Sequence, residues 1–223
     1  MGFFFGENMK LLVSASSRSG TVFVTKFLNE LNLLTAHENH MQPKKNPDRR
    51  KNICLAGFTF IFENPIQYEH IFHQVREPIK SICSITTHPP GVFDRVEKHF
   101  GLTHLDSNCD MCRKKHPKDG CRVWHGKDFV CKNQMFRAAR YWFYLNQQAE
   151  KISEWRYKIE EIQAPSIFQE FCDRLELGKK ECPPLTIPNS RKGNYIEFTY
   201  EDIIETDPVL GKKIKEKAQQ YGY

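Results

Sequence analysis

The segment from Leu11 to Leu33 constrains the fold of this chain more than any other stretch. An apolar run at 11–13 is followed at 14–21 by a turn that reads Ser-Ala-Ser-Ser-Arg-Ser-Gly-Thr, and then by an amphipathic stretch that begins at Val22. This order predicts a strand, a tight turn and the start of a helix. The first N–H groups of a helix have no partner inside it and lie at its positive end. The pattern therefore predicts a loop that binds a phosphate group.

The same turn lacks the lysine of the loops that bind nucleoside triphosphates. Those loops end in Gly-Lys followed by Ser or Thr, and the lysine reaches the β- and γ-phosphates. Here Thr21 follows Gly20 directly, and the nearby cation, Arg18, comes before the glycine. We therefore expect the loop to bind a phosphate ester without the usual arrangement of ATP and Mg²⁺.

Strand-like and helix-like segments alternate along most of the chain. Strands are predicted at 9–15, 35–38, 68–75 and 155–162, and helices at 21–33, 78–85, 134–153, 166–177 and 199–221. The alternation predicts a three-layer α/β fold with a mainly parallel sheet flanked by helices. A length of 223 residues suits one domain that spans 1–223. Residues 91–132 are polar and rich in His and Cys, and they are predicted to form an insertion within that domain.

Charge and hydropathy narrow the class of protein further. A net charge of +6 suits an anionic ligand. No apolar run approaches the roughly 20 residues that cross a bilayer. The opening Met-Gly-Phe-Phe-Phe-Gly-Glu also lacks the basic start of a signal peptide. We therefore expect no membrane span and a cytoplasmic location.

Two further basic elements could act with the loop at 14–21. Arg76 ends the strand predicted at 68–75, Pro78 suits the first position of a helix, and Ser81 and Ser84 share one face of that helix. A guanidinium and hydroxyl groups in this arrangement could hold a second phosphate through charge-assisted hydrogen bonds. The segment 189–194, Asn-Ser-Arg-Lys-Gly-Asn, is predicted as a loop that could close over the same group.

Together the three elements resemble those of sulfotransferases that use 3′-phosphoadenylyl sulfate (PAPS). In that family a Ser-Gly-Thr loop preceded by Lys or Arg binds the 5′-phosphosulfate, which implies a role for Arg18, Ser19, Gly20, Thr21 and Val22. An Arg-x-Pro segment with a serine eight residues after the arginine binds the 3′-phosphate, which implies Arg76 and Ser84. An Arg-Lys-Gly loop near the C-terminus often contributes, which implies Arg191, Lys192 and Gly193.

The resemblance also implies a fold and a reaction. The fold would be similar to that of P-loop nucleotide hydrolases. The reaction would transfer a sulfuryl group from PAPS to a hydroxyl or amine and release adenosine 3′,5′-bisphosphate (PAP). Arg18 would stabilise the charge that develops on the departing phosphate.

A general base is needed to remove the proton of the acceptor. Glu38 lies at the end of the strand predicted at 35–38 and is the first candidate, because strand ends near a phosphate loop face the same crevice. Several sulfotransferase branches look similar in placing a glutamate there. Cytosolic branches use a histidine further along, so His37 is the alternative.

The cysteines at 109–131 form a separate pattern. Cys109 and Cys112 are separated by two residues, a spacing that lets both thiolates bind one tetrahedral metal ion, and Cys121 and Cys131 could complete the site. His104, His116 and His125 are alternative ligands. Structural zinc is the first hypothesis, with disulfides and free thiols as alternatives.

Two other functions are compatible with parts of the sequence. One is a P-loop kinase with an atypical loop. The other is a non-enzymatic, basic zinc module that binds nucleic acid through 41–52 and 104–132. The kinase would need ATP and Mg²⁺, and the missing Gly-Lys pair counts against it. The zinc module gives no role to Arg76 and Ser84. We therefore expect a small-molecule or carbohydrate acceptor and no nucleic acid, and the sequence does not indicate an oligomeric state.

Overall fold

A five-stranded parallel sheet organises the computed structural model, which describes residues 10–33, 35–37, 54–57, 67–88, 90–102, 132–185 and 197–223. The strands are β1 (Leu11–Ala15), β2 (Thr35–His37), β3 (Cys54–Gly57), β4 (His70–Val75) and β5 (Trp155–Lys158). They lie in the order β2-β3-β1-β4-β5, and every pairing is parallel. The predicted α/β class with a parallel sheet is confirmed. The strand β3 was not predicted.

The helices are α1 (Thr21–Glu30), α2 (Pro78–Ile85), α3 (Pro90–His99), α4 (Lys132–Ile152), α5 (Pro165–Arg174), α6 (Tyr200–Thr206) and α7 (Pro208–Gln220). Two of them differ from expectation. Most of α3 falls within the segment predicted as an insertion, and the single helix predicted at 199–221 is divided between α6 and α7. The division falls at Pro208, where Asp207 caps α7 by accepting from two N–H groups of its first turn. No helix in the described part of the chain is long and apolar enough to cross a membrane.

The chain divides into two units, which we name the sheet unit and the helical unit. The sheet unit comprises Met1–Arg76 and Leu145–Pro188, and the helical unit comprises Glu77–Tyr144 and Asn189–Tyr223. The sheet unit contains β1 to β5, α1 and α5. The helical unit contains α2, α3, α6, α7 and the first part of α4.

Aromatic packing holds α1 and α5 against one face of the sheet. Phe27 of α1 contacts Phe168 and Phe171 of α5 edge to face, with ring centroids 5.9 and 6.0 Å apart. Phe72 of β4 contacts Phe171 at 5.5 Å and Trp155 of β5 at 5.1 Å. Such pairs contribute about 0.5–1.5 kcal/mol each beyond the area that they bury. This cluster gives the strands a rigid base below their carboxyl ends.

The strand order has a switch point between β1 and β4. The chain leaves β1 for β2, towards one edge of the sheet, and leaves β4 for β5, at the opposite edge. At such a switch point the connections that follow two adjacent parallel strands diverge, and ligands of α/β proteins bind there. The segment that follows β1 is the loop predicted to bind phosphate, and Arg76 follows β4 directly.

A buried ion pair links two helices of the helical unit. Arg137 of α4 donates to both carboxylate oxygens of Glu97 on α3, at 3.0 and 2.8 Å, and also to Asp94. Arg137 and Glu97 are both buried. Burial alone would lower the pKa of Arg137, but its hydrogen bonds to Glu97 and Asp94 more than offset this and raise it. The guanidinium therefore stays charged and holds α3 against α4.

Candidate functional site

The turn between β1 and α1 folds around its own serines. The Oγ atoms of Ser16 and Ser19 lie 2.6 Å apart, and the N–H of Ser19 donates to the carbonyl oxygen of Ser16 at 3.2 Å. Ser16, Ser17 and Ser19 are all buried. Of the four N–H groups at 19–22 that the sequence predicts to bind phosphate, that of Ser19 is thus engaged inside the turn.

Two residues of this turn have left-handed backbone conformations. Arg18 has a φ of 65° and Gly20 a φ of 86°. A Cβ atom at position 20 would lie 3.0 Å from Cγ1 of Ile159, so the position favours glycine for space as well as for conformation. An arginine in this conformation costs about 1 kcal/mol or more, and backbone strain of this kind is concentrated at functional sites.

Two carbonyl groups of the turn are bound by side chains from the end of β4. Nη1 of Arg76 donates to the carbonyl oxygen of Arg18 at 2.9 Å, and Nε2 of Gln74 donates to that of Ser19 at 2.5 Å. In a planar trans peptide the N–H of the next residue points opposite to the carbonyl. The bond from Gln74 therefore turns the N–H of Gly20 away from β4.

The start of α1 has no side-chain cap. Gly20 occupies the N-cap position, its carbonyl oxygen accepts the first helical bond from the N–H of Val24 at 3.0 Å, and the first turn contains no acidic residue. The N–H groups of Thr21, Val22 and Phe23 precede that first bond. The positive end of α1 thus has no carboxylate of its own helix, and Val22 is half exposed there. This is the arrangement that binds an anion.

The start of α2 is different, because it carries its own carboxylate. Glu77 caps the helix, and its oxygens accept from the N–H groups of Ile79 at 3.1 Å and Lys80 at 2.6 Å. An anion cannot bind these two N–H groups while Glu77 holds them. A phosphate at the start of α2 would therefore have to bind side chains and not these two N–H groups. The roles predicted for Arg76 and Ser84 stay predictions.

The two serines of α2 differ in accessibility. Ser81 is fully buried, and its Oγ has no hydrogen-bond partner among the residues that the structure describes. Ser84 is half-buried. Of the two hydroxyls predicted to face a phosphate, only that of Ser84 can be reached from the surface of this unit.

Comparison with models of known protein families finds no match, and neither the curated proteins nor the solved structures yield one.

The pair Gln74 and Tyr157 belongs to the site, although the sequence prediction did not include it. The hydroxyl of Tyr157 donates to Oε1 of Gln74 at 2.9 Å, and both side chains are buried. One signal could have pointed to Gln74. It is an amide near the end of a strand whose last four residues are buried, and a buried amide needs hydrogen-bond partners.

The second strand reaches the same edge of the sheet. His37 is the last residue of β2, which is separated from β1 by β3 alone. Two strand spacings place the end of β2 roughly 10 Å from the end of β1. Glu38, the first candidate for the general base, lies outside the described residues.

Other predicted site residues also lie outside the part of the chain that the structure describes. They are Arg191, Lys192 and Gly193 of the basic loop, and Cys109, Cys112, Cys121 and Cys131 of the metal site. Within the described ranges, no group of three or more His, Cys, Asp or Glu side chains could hold a metal ion.

Proposed function

We propose that the protein is a sulfotransferase that moves a sulfuryl group from PAPS to a hydroxyl or amine of a small-molecule or carbohydrate acceptor. The observation that carries the proposal is the braced loop after β1. Arg76 and Gln74 hold two of its carbonyl groups, and it leads into the uncapped start of α1. A loop of this kind at a switch point suits a phosphate group. Without the P-loop lysine, a phosphosulfate is favoured over the triphosphate of Mg-ATP.

The 5′-phosphosulfate would bind at the start of α1. The N–H groups of Gly20, Thr21 and Val22 would donate to the phosphate that carries the sulfuryl group, and Arg18 would add a positive charge. Negative charge grows on that phosphate as the bond to sulfur breaks. Donors fixed in advance stabilise such charge without reorganising during the reaction.

The 3′-phosphate would bind the guanidinium of Arg76. A guanidinium has five N–H donors, so one side chain can both brace the loop and bind a phosphate. In the resembling family a serine eight residues further on completes this site, which assigns the same role to Ser84. The loop with Arg191, Lys192 and Gly193 would supply further donors.

The transfer itself needs little covalent chemistry from the protein. The oxygen or nitrogen of the acceptor attacks sulfur, the bond between sulfur and the bridging oxygen breaks, and PAP leaves with the electron pair. Glu38 would take the proton of the acceptor, with His37 as the alternative base. As in phosphoryl transfer, positioning and charge stabilisation account for most of the catalysis.

A thermal shift assay tests whether the protein binds the nucleotide of the proposed sulfuryl donor, PAPS. A ligand that binds only the folded protein raises the melting temperature. We expect PAP to stabilise the protein, and ATP with Mg²⁺ or an oligonucleotide to have little effect. Stabilisation by ATP with Mg²⁺ alone would indicate a kinase, and stabilisation by the oligonucleotide alone would indicate a nucleic-acid-binding module.

The base is tested by separating turnover from binding. Glu38→Gln should reduce turnover about 10²–10⁴-fold, the usual contribution of a general base, and leave the affinity for PAP nearly unchanged. His37→Gln is the matched variant. If His37→Gln reduces turnover and Glu38→Gln stays within a few-fold of the wild type, the base is His37.

A further inference from the structure

A row of three residues crosses the sheet beneath the phosphate loop. Gln74 of β4 is in register with Ala15 of β1 on one side and with Tyr157 of β5 on the other. Phe72, two residues before Gln74, packs in the aromatic cluster with α5, and alternate residues of a strand share a face. Gln74 therefore lies on the same face as that cluster, one step closer to the loop.

Two hydrogen bonds in series connect this row to the loop. Tyr157 donates its hydroxyl proton to Oε1 of Gln74 at 2.9 Å, and Nε2 of Gln74 donates to the carbonyl oxygen of Ser19 at 2.5 Å. Burial raises the pKa of Tyr157, so the hydroxyl keeps its proton. Rotating the amide by 180° would place its oxygen against the oxygen of Ser19. The series therefore has only one favourable direction, from Tyr157 to Ser19.

The loop needs such a constraint at the peptide between Ser19 and Gly20. Glycine adopts positive and negative φ with similar ease, so this peptide can rotate at little cost. With the carbonyl held by Gln74, the N–H of Gly20 points away from β4. If the peptide rotated, a carbonyl oxygen would replace that donor and repel a phosphate.

Packing alone does not explain an amide at this position. Gln74 is fully buried, and its in-register neighbours and its predecessor on the same face include alanine and phenylalanine. Burying an amide is unfavourable unless its donors and acceptor are all bonded, whereas an aliphatic side chain would carry no such penalty. The amide fits the task of holding a backbone carbonyl.

We propose that Gln74 and Tyr157 form a positioning pair that fixes the peptide between Ser19 and Gly20, so that the N–H of Gly20 faces the phosphosulfate. The identity of the ligand rests on the proposed function. The orientation of the peptide rests on the bonds of Gln74 and can be measured without a ligand. Neither residue needs to touch the substrate.

The test compares Gln74→Leu, Gln74→Glu and Tyr157→Phe with a matched control, Gln134→Leu. Gln134 is also a buried glutamine whose Nε2 donates to a backbone carbonyl, that of Thr86 at 2.5 Å, but it lies in the helical unit. Calorimetric titration with PAP gives the affinity. The NMR shifts of the Ser19 carbonyl carbon and the Gly20 amide report the orientation of the peptide.

We expect Gln74→Leu to weaken PAP binding about tenfold, the value of one well-placed hydrogen bond, and to shift both NMR signals. Tyr157→Phe should have a smaller effect of the same kind. Gln134→Leu should lower the melting temperature but keep the affinity for PAP. Gln74→Glu adds a test by pH. Its carboxylate cannot donate to Ser19, but its protonated form can, so its affinity relative to the wild type should recover as the pH falls.

The outcomes separate this proposal from the proposed function. If wild-type protein binds PAP and Gln74→Leu binds it equally well with unchanged Gly20 signals, the positioning role is wrong and the function stands. If wild-type protein does not bind PAP, PAPS is not the sulfuryl donor. The NMR shifts alone then decide whether Gln74 and Tyr157 position the peptide. If Gln74→Leu fails to fold, Tyr157→Phe and the pH response of Gln74→Glu decide it.

Discussion

The guanidinium of Arg76, at the end of β4, donates a hydrogen bond of 2.9 Å to the backbone carbonyl of Arg18. The two arginines are 58 positions apart in the sequence, and the sheet brings them together because β1 and β4 are neighbours. The contact runs from a side chain to the backbone, so it does not neutralise either guanidinium. The positive charge of Arg76 therefore lies beside the loop, which suits a ligand with several negative charges.

Arg76 should be needed for the affinity of the site. Arg76→Ala removes the brace on Arg18 and a cation, and we expect PAP binding to weaken about 10- to 100-fold, the range for a hydrogen bond to a charged group. Arg76→Lys should recover only part of the loss, because an ammonium lacks the planar fork. Calorimetric titration measures both. Arg156→Ala, at a half-exposed arginine of β5, is the control and should bind normally. Equal affinities for all three variants would remove Arg76 from the site.

Gly20 should tolerate no side chain. In Gly20→Ala the new Cβ has an unfavourable φ and also meets Cγ1 of Ile159 at 3.0 Å. The matched control is Gly178→Ala, where φ is 67° but no atom lies within 4 Å of the added Cβ. We expect Gly178→Ala to cost about 1–2 kcal/mol, the penalty of the left-handed conformation alone, and Gly20→Ala to cost more. Urea denaturation measures both. Equal losses of unfolding free energy would show that the side chain of Ile159 moves aside at no cost.

Removing one partner of the buried ion pair should destabilise the helical unit. Arg137→Met leaves Glu97 buried without its partner, which costs about 3–5 kcal/mol when a buried pair is broken in this way. Adding Glu97→Met should restore part of the loss, because the second substitution removes the uncompensated charge. Lys215→Ala breaks an exposed pair with Glu201 in the same unit and should have little effect, since exposed pairs contribute little. Thermal unfolding measures each variant. A double variant less stable than Arg137→Met would contradict this account.

Two buried thiols should make the protein less stable in alkali. Burial is the main cause that raises the pKa of Cys83 to about 11, and likewise that of Cys172, from an ordinary value of 9.0. In each case the unfolded chain loses its proton first. The stability that these thiols contribute is therefore complete below pH 9 and is lost as the pH rises towards 11.

This loss can be assigned to the individual thiols. We expect Cys83→Ala and Cys172→Ala each to flatten the fall in unfolding free energy, by on the order of 2 kcal/mol at the alkaline end. Urea denaturation at several pH values measures the slopes. Cys182→Ala, at a half-buried thiol, should change the slope less. If all three variants keep the slope of the wild type, other groups cause the alkaline loss.

The cysteines at 109–131 should carry zinc. Four thiolates with one Cys-x-x-Cys spacing fit a tetrahedral structural site, which would leave no open position for catalysis. We expect about one zinc ion per chain by elemental analysis, and loss of that zinc in Cys109→Ser and Cys112→Ser. Cys83→Ser, outside this segment, should keep the metal. Metal-free protein in which the four thiols of this segment can be alkylated would favour free thiols. Metal-free protein whose mass shows bonds between these cysteines would favour disulfides.

The parts of the fold that the sequence predicts are those with a strong local pattern. The apolar run at 11–13, the Ser-Gly-Thr turn and the amphipathic α1 gave the correct order and nearly the correct bounds. The sequences of the short strand β3 and of the helix α3 show no comparable pattern. The division of the tail falls at a capping residue before a proline, Asp207 and Pro208, a signal that the sequence prediction did not use.

The candidate site could be predicted only where one segment supplies the chemistry. The turn at 14–21 is local, so its residues could be named from the sequence. The bonds from Gln74 and Arg76 to that turn depend on the pairing of β1 with β4, and no short-range pattern encodes which strands are neighbours. The carboxylate that occupies the start of α2 is local, yet a glutamate before a proline has many ordinary explanations. Its effect on anion binding becomes apparent only from its two bonds to N–H groups of the first turn of α2.

Because the first turn of α1 contains no acidic residue, an anion that binds there meets no carboxylate of the same helix. Two monophosphorylated adenosines should then be told apart by which ribose position carries the phosphate. In the proposed binding mode, the 5′-phosphate would lie at the start of α1, while a 3′-phosphate would rely on the guanidinium of Arg76. The isomer that binds more weakly should also lose more affinity when salt is added, since salt screens side-chain charges at a surface more than buried backbone groups.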